Sequence, residues 1–239
     1  MSIETVTAKR SRRPDIAPIK RERVVEEALA LLREGGLKNL STRRLAARLG
    51  VKSPALYWHV KDKSELADLV VEAMFATMRP AAPGPYLDRL RRIADEVRRA
   101  LSAYRDAPLL IAERPPSGPH RMRSTSEVVA AFLDAGFAEK EAARLAVFFC
   151  QALLALVADE ALEVERRRAG LPIRRDVMAE IVLRGDVEST LTPEVASELK
   201  TIQPAEIFEI GQQVLLDGIE ARRLRRAGAG APGQDGGSW

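Results

Sequence analysis

Residues that carry chemistry are scarce in this chain. One cysteine and two histidines stand among 239 residues. A single thiol cannot close an internal disulfide, which suits a reducing compartment. Cys150 lies in the apolar stretch Val-Phe-Phe-Cys-Gln-Ala-Leu-Leu and reads as a packed core residue. His59 and His120 have no ligand-spaced partner, so no metal site is expected. There is no glycine-rich phosphate loop and no nucleophile elbow. The acidic pairs Asp159-Glu160 and Glu163/Glu165 read as solvated faces or ion-pair partners. An enzyme is not expected, and no cofactor is implied. No run of 18 apolar residues occurs and the N-terminus has no hydrophobic signal core, which predicts a cytoplasmic protein with no membrane partner. An apolar fraction of 46% is ample for a core of one or two domains.

Net charge is also small, +4 over the whole chain, but it is unevenly placed. Between Ser41 and Lys63, six cations (Arg43, Arg44, Arg48, Lys52, Lys61, Lys63) face only Asp62, a local charge of +5. Ahead of them, residues 1–18 add Lys9, Arg10, Arg12 and Arg13 with Pro14 and Pro18 and show no helical period, which predicts a flexible basic arm. Such an arm is a candidate to lie along phosphates or in a minor groove. Charge clustered in this way points to a polyanionic partner.

The cluster sits on a helix–corner–helix pattern. Ser41 is a good N-cap, and Leu45, Ala46 and Leu49 share an apolar face. Gly50 can take positive φ and end the helix, and Val51 plugs the corner. Ser53 then reads as the cap of a second helix with Pro54 at its first position. Leu56 and Val60 turn inward, leaving Ala55, Tyr57, Trp58 and Lys61 outside. An outward Tyr-Trp pair suits a helix that lies in a groove, with rings against sugars and methyls and polar tips at phosphates. This is helix-turn-helix geometry over 41–60, in double-stranded DNA readout.

The remaining pattern is all-α. Lys20 to Glu34 carries the stripe Val24, Ala28, Leu31, Leu32, and Gly35-Gly36 ends it. Ser64 reads as the cap of a helix with Leu66, Leu69, Val70, Ala73, Met74 and Met78. The Ala/Pro/Gly run 80–85 marks a boundary. We therefore expect a basic arm at 1–18, a DNA-binding unit at 19–79, a larger helical unit at 86–226 and a disordered tail at 227–239. Within the larger unit, helices are expected at Tyr86–Arg105, 121–134, Glu139–Arg168 and 205–226, with weaker ones near 176–184 and 193–200. The 139–168 helix is apolar nearly all round from Leu145 to Ala158, as for a helix buried in a large core or a dimer face. Gly211 and Gly218 suggest close approach of another helix, since each costs about 1 kcal/mol in a helix interior.

Thr42-Arg43-Arg44-Leu45-Ala46, Leu49-Gly50-Val51 and Leu56-Tyr57-Trp58-His59-Val60-Lys61-Asp62-Lys63 closely resemble the signature of the tetracycline-repressor (TetR) family. Weaker similarity runs through Arg99-Ala100-Leu101, Tyr104-Arg105-Asp106 and Arg114-Pro115 to Phe132–Phe137. The resemblance implies a homodimer joined through a four-helix bundle of the 139–168 and 205–226 helices. It implies a repressor that holds a palindromic operator and releases it when a small molecule enters the second domain. It places Thr42, Arg43, Pro54, Tyr57, Trp58 and Lys63 where family members contact bases or phosphates. Lys52, Ser53, Ala55, His59 and Lys61 lie in the same stretch, with Arg10, Arg12 and Arg13 from the arm as further candidates. Ser53 and Ala55 stand where tetracycline repressors carry Gln and Thr, so the operator sequence should differ.

The ligand half departs further. Leu110 stands where tetracycline repressors place a magnesium-ligating His, and Ile93 and Val97 where they place a drug-binding Asn and Phe. A metal chelate of tetracycline is therefore not expected. The predicted cavity lies between 86–112 and 128–160, lined by Ile93, Val97 and Leu110 with Tyr104, Gln151 and Asp159 as polar groups. That composition suits an apolar or amphipathic ligand. Two other readings stay open at this stage: a DNA-binding regulator with no small-molecule input (an activator or global binder), and a helical protein that does not bind DNA.

Overall fold

The computed structural model describes residues 20–104, 106–185 and 190–229, and no strand occurs among them. Four helices form an N-terminal head. They are α1 (Arg21–Gly35), α2 (Thr42–Leu49), α3 (Ser53–Leu56) and α4 (Lys63–Ala76). Val24, Ala28, Leu32, Leu45, Leu56, Leu66, Val70 and Met74 are almost fully buried there. Burying each such side chain contributes about 1.5–3 kcal/mol, enough to seat helices too short to be stable alone.

Local signals account for most helix ends. Ser41 caps α2, its hydroxyl accepting from the Arg44 N–H at 3.2 Å. Gly50 closes α2 at φ 71°, where a Cβ would strain the backbone. Two caps differ from expectation. Lys52, not Ser53, occupies the N-cap of α3, and no side chain caps that helix. Asp62, not Ser64, caps α4, accepting from the Glu65 N–H at 2.8 Å. The Ser64 hydroxyl is engaged by Arg114 instead, at 2.6 Å. The second helix of the motif is also shorter than expected. Four residues are α-helical, and a turn through Tyr57–His59 brings Val60 into the core at 5% exposure. Aromatic and β-branched residues at 57–60 favour helix weakly, and burial of Val60 decides the path.

The body contains α5 (Tyr86–Ser102), α6 (Ala107–Ala112), α7 (Pro119–Asp134), α8 (Glu139–Arg168), α9 (Arg174–Arg184), α10 (Pro193–Thr201) and α11 (Pro204–Ala229). α8 is the central strut, packed against α5, α6, α7 and α11. By length and composition it would suit a bilayer. One side is core (Ala142, Ala146, Phe149, Leu153, Val157), while Val147, Phe148 and Leu162 are exposed. The expected all-round burial is therefore met on one side only within this chain. Phe149, Phe132 and Phe137 meet edge to face, with Phe132 central. The weak segment after α8 forms two real helices, α9 and α10, which pack mainly on each other.

The last helix runs through 229, three residues past the expected boundary. The rest of the 227–239 tail and the 1–18 arm lie outside the described residues. Gly211 has an intramolecular cause: a Cβ there would meet the Leu156 side chain at 2.6 Å. Gly218 faces open space.

Candidate nucleic-acid interface and ligand cavity

The head presents one side of the helix-turn-helix to solvent. Leu56 and Val60 anchor α3 and its turn in the core, which turns Tyr57 (55% exposed) and Trp58 (89%) outward. Arg43, Lys52, Pro54, Lys61 and Lys63 are exposed around them, and Thr42, Ser53, Ala55 and His59 are half-buried between. Among the described residues, Arg43, Lys52, Lys61 and Lys63 form no ion pair. Their charge is therefore available to a polyanion. Arg48 is different: it bonds Glu27 on one side and Glu34 on the other, tying α2 to α1. Arg44 bonds Asn39. The cationic cluster counted along the sequence thus divides into free charges and internal struts. Arg10, Arg12 and Arg13 lie outside the described residues.

The body holds a cavity of about 710 Å³ between α5, α6, α7 and α8. Ile93, Val97 and Gln151 stand on its wall, as expected of them, while Tyr104 and Leu110 do not. Tyr104 points into the head, where its hydroxyl accepts from Arg33 of α1 at 2.7 Å and its ring lies under that guanidinium at 4.6 Å. Leu110 is buried in the core, and α6 shows the cavity its Pro108, Leu109, Ile111 and Ala112 instead. Asp159 belongs to a separate groove of about 470 Å³, beside Ile173 and Arg174. The α7 wall extends beyond the expected span: Arg121, Ser124 and Thr125 face the cavity along with Val128, which lies within that span. Their spacing of three, four and seven is one helix face, a signal present in the sequence but readable only once that face is known to be inward. Cys150 also lines the cavity. Burial pushes its thiol up to about 11, so it is neither ionised nor reactive near neutrality.

Several polar ties connect the cavity walls to the head. Arg114, just after α6, pairs with Asp68 of α4 and holds that carboxyl below the usual range. Glu72 of α4 accepts the His120 and Arg121 N–H groups and so caps α7. Gly118 makes room for that carboxylate, since a Cβ there would lie 2.1 Å from it. Asp106, at φ 60°, accepts the Leu37 N–H at 3.0 Å. None of these partners is close in sequence, so no local pattern announces them. The paired-acid expectation fits Glu160, bonded to Arg98, and Glu163, bonded to Arg167 and Arg175.

A charged helix-turn-helix head, tied by its fourth helix to the walls of a mostly apolar cavity, defines a regulator that reads DNA and senses a small molecule. Comparison with known proteins agrees. Residues 24–70 match the family described as bacterial regulatory proteins, tetR family, and residues 79–223 match the tetracyclin repressor-like C-terminal domain. The chain is 34% identical to the class C tetracycline repressor of Escherichia coli, over 86% of this chain and 93% of that one. It is 31% identical to the HTH-type transcriptional repressor DrrR1 of Streptomyces coeruleorubidus, over 92% and 86% respectively. The TetR family protein ActR of Streptomyces coelicolor, solved with actinorhodin, superposes with a TM-score of 0.71 at 26% identity, covering 87% of this chain and 99% of that one. The chain belongs to the tetR family of bacterial regulatory proteins.

Proposed function

We propose that this chain is a homodimeric, cytoplasmic transcriptional repressor that acts by binding and not by catalysis. Two copies of α3 and its basic, aromatic surround hold a palindromic operator, and a small apolar or amphipathic molecule in the cavity releases it. In this reading residues 19–79 are the DNA-binding unit and 86–226 the ligand-binding and dimerisation unit. The observation that carries the reading is the 89% exposure of Trp58 beside cations that form no ion pair among the described residues. Tyr57 and Trp58 together make an exposed aromatic patch rimmed by cations, the pattern of a surface that a partner covers.

Dimerisation is supported by a second set of uncovered side chains. Ile210, Val214 and Leu224 on α11, with Phe148 and Leu162 on α8, are each more than half exposed. Gly218 lies on the same open side of α11 as Val214, where a partner helix can approach closely. Two heads on a two-fold axis read half-sites about 34–36 Å apart and double the contact surface. The ligand then acts by linkage. If it fits a body in which α6 and α7 sit differently, the ties through Asp68 and Glu72 shift α4 and re-aim the head. A differential affinity of about 3 kcal/mol corresponds to roughly 10²-fold release. ActR, a TetR family protein solved in complex with actinorhodin, supports a small-molecule ligand for this chain.

The test is selection of duplexes from a random library by the full-length protein, followed by thermal-shift screening of metabolites and antibiotics. Recovery of an inverted repeat, and stabilising compounds that also free the DNA, is the expected result. Failure to retain any duplex at low salt would remove the DNA-binding reading. Retention that no stabilising compound weakens would leave a regulator without small-molecule input.

A further inference from the structure

One side chain on the cavity wall carries a full charge, Arg121, and no Asp or Glu lines the cavity with it. The guanidinium is gripped from behind by backbone. Its Nη1 donates to the carbonyls of Arg114 at 2.7 Å and Pro115 at 3.2 Å, and its Nη2 to that of Ile111 at 3.2 Å. These bonds use three of the five N–H groups an arginine offers. Phe75 lies against it, 5.8 Å from ring centre to guanidinium carbon. The two acids nearest in effect are committed elsewhere, Asp68 to Arg114 and Glu72 to the end of α7. Burial is the main influence on Arg121 and opposes its charge. The wall therefore holds a partly desolvated cation with unused donors and no counter-ion in contact among the described residues. Such a group attracts an anion far more strongly than an exposed arginine does, because its dehydration has already occurred on folding.

We infer that the effector is a lipophilic anion: an extended apolar body ending in a carboxylate or comparably acidic group that docks on Arg121. Ser124, one turn along α7 on the same wall, stands beside that position to bond the acid or its neighbouring oxygens, while the Thr125 hydroxyl donates to the Arg121 carbonyl. The aliphatic remainder of the wall takes the body. A neutral molecule of the same shape offers the spare guanidinium N–H groups only an uncharged acceptor, and a cation is repelled. This inference rests on the cavity being the ligand site.

The experiment titrates the full-length protein with three fluorescent probes of matched shape: pyrenebutyrate, pyrenebutanol and pyrenebutylamine. The acid is expected to bind about tenfold more tightly than the alcohol, as a charge-assisted pair contributes over a neutral one, with the amine weakest. In Arg121→Gln the acid's advantage should fall to about threefold or less while the alcohol's affinity is retained. Arg121→Lys, which keeps the charge but not the fork, should be intermediate. The wild-type order needs no variant, so a Gln variant that fails to fold does not blunt the test. Equal binding of acid and alcohol by the wild type, or an acid preference that survives Arg121→Gln, would overturn the inference and leave the cavity reading standing. Binding of none of the three would overturn both, while retention of DNA by the same protein would still stand.

Discussion

Arg43 and Arg48 lie five residues apart on one short helix and carry the same charge, yet their surroundings differ. Arg48 lies between Glu27 and Glu34, and Glu27 is 9% exposed. Arg43 is exposed with no ion pair among the described residues. Glu27 keeps Arg23 as a second partner, so Arg48→Ala removes one of two ion pairs on a nearly buried carboxylate and the tie from α2 to α1, and should lower the urea midpoint of the head. Arg43→Ala should leave the unfolding midpoint within about 0.5 kcal/mol of wild type. It should weaken operator binding by about 1–3 kcal/mol and relax preference at one base pair, measured by competition among single-base operator variants. A uniform loss across all sequences would instead mark Arg43 as a phosphate contact. Two arginines of equal charge on one helix thus separate into a strut and a reader only through what α1 brings near them.

Between elements, the α4–α5 connection depends on Glu96. This residue of α5 accepts the Arg79 N–H at 2.9 Å and pairs with the guanidinium groups of Arg79 and Arg99. Arg99 is the larger influence and, with Arg79, holds the carboxyl at about 2, below its ordinary value of 4.5. A depressed carboxylate stabilises the fold above its unfolded value and loses that contribution as the pH falls through the folded one. The loss should therefore occur from about pH 4.5 down to about pH 2. Both arginines reach solvent, so screening holds the magnitude to roughly 1–3 kcal/mol. Glu96→Gln should lower the thermal midpoint at pH 7 and flatten its acid dependence across that window. Equal acid slopes in variant and wild type, at matched ionic strength, would rule the carboxylate out as the source. The run 80–85 was legible as a helix interruption from its Ala, Pro and Gly content, and it lies between α4 and α5. The clamp beside it was not, because Arg79 and Glu96 meet only when α4 and α5 fold back on each other.

For the whole molecule, the proposed subunit contact is the open apolar side of α8 and α11. Val214 is 63% exposed in the single chain and touches no core. A charge there costs an isolated subunit little, but buried between two subunits it would be left unpaired. Val214→Asp should give a folded monomer by sedimentation and circular dichroism. Its operator affinity should fall by at least about 10²-fold, since two half-sites no longer bind as one. A variant that stays dimeric would place the subunit contact elsewhere.

What the sequence alone determined was local. Ser41 as a cap, Gly50 at positive φ, and the Leu56/Val60 spacing that throws Tyr57 and Trp58 outward all depend on neighbours within about four residues, where backbone geometry admits few outcomes. The same reasoning reached the all-α class and the full span of α8. Tertiary structure decided everything that depends on a distant partner. It turned Tyr104 into the head against Arg33, buried Leu110 away from the cavity, gave Ser64 to Arg114 so that Asp62 capped α4, and placed Arg121 on an apolar wall without an acid. Side-chain direction within a helix follows its period, but which face is inward is set by the helices that pack against it, and those contacts join residues tens of positions apart.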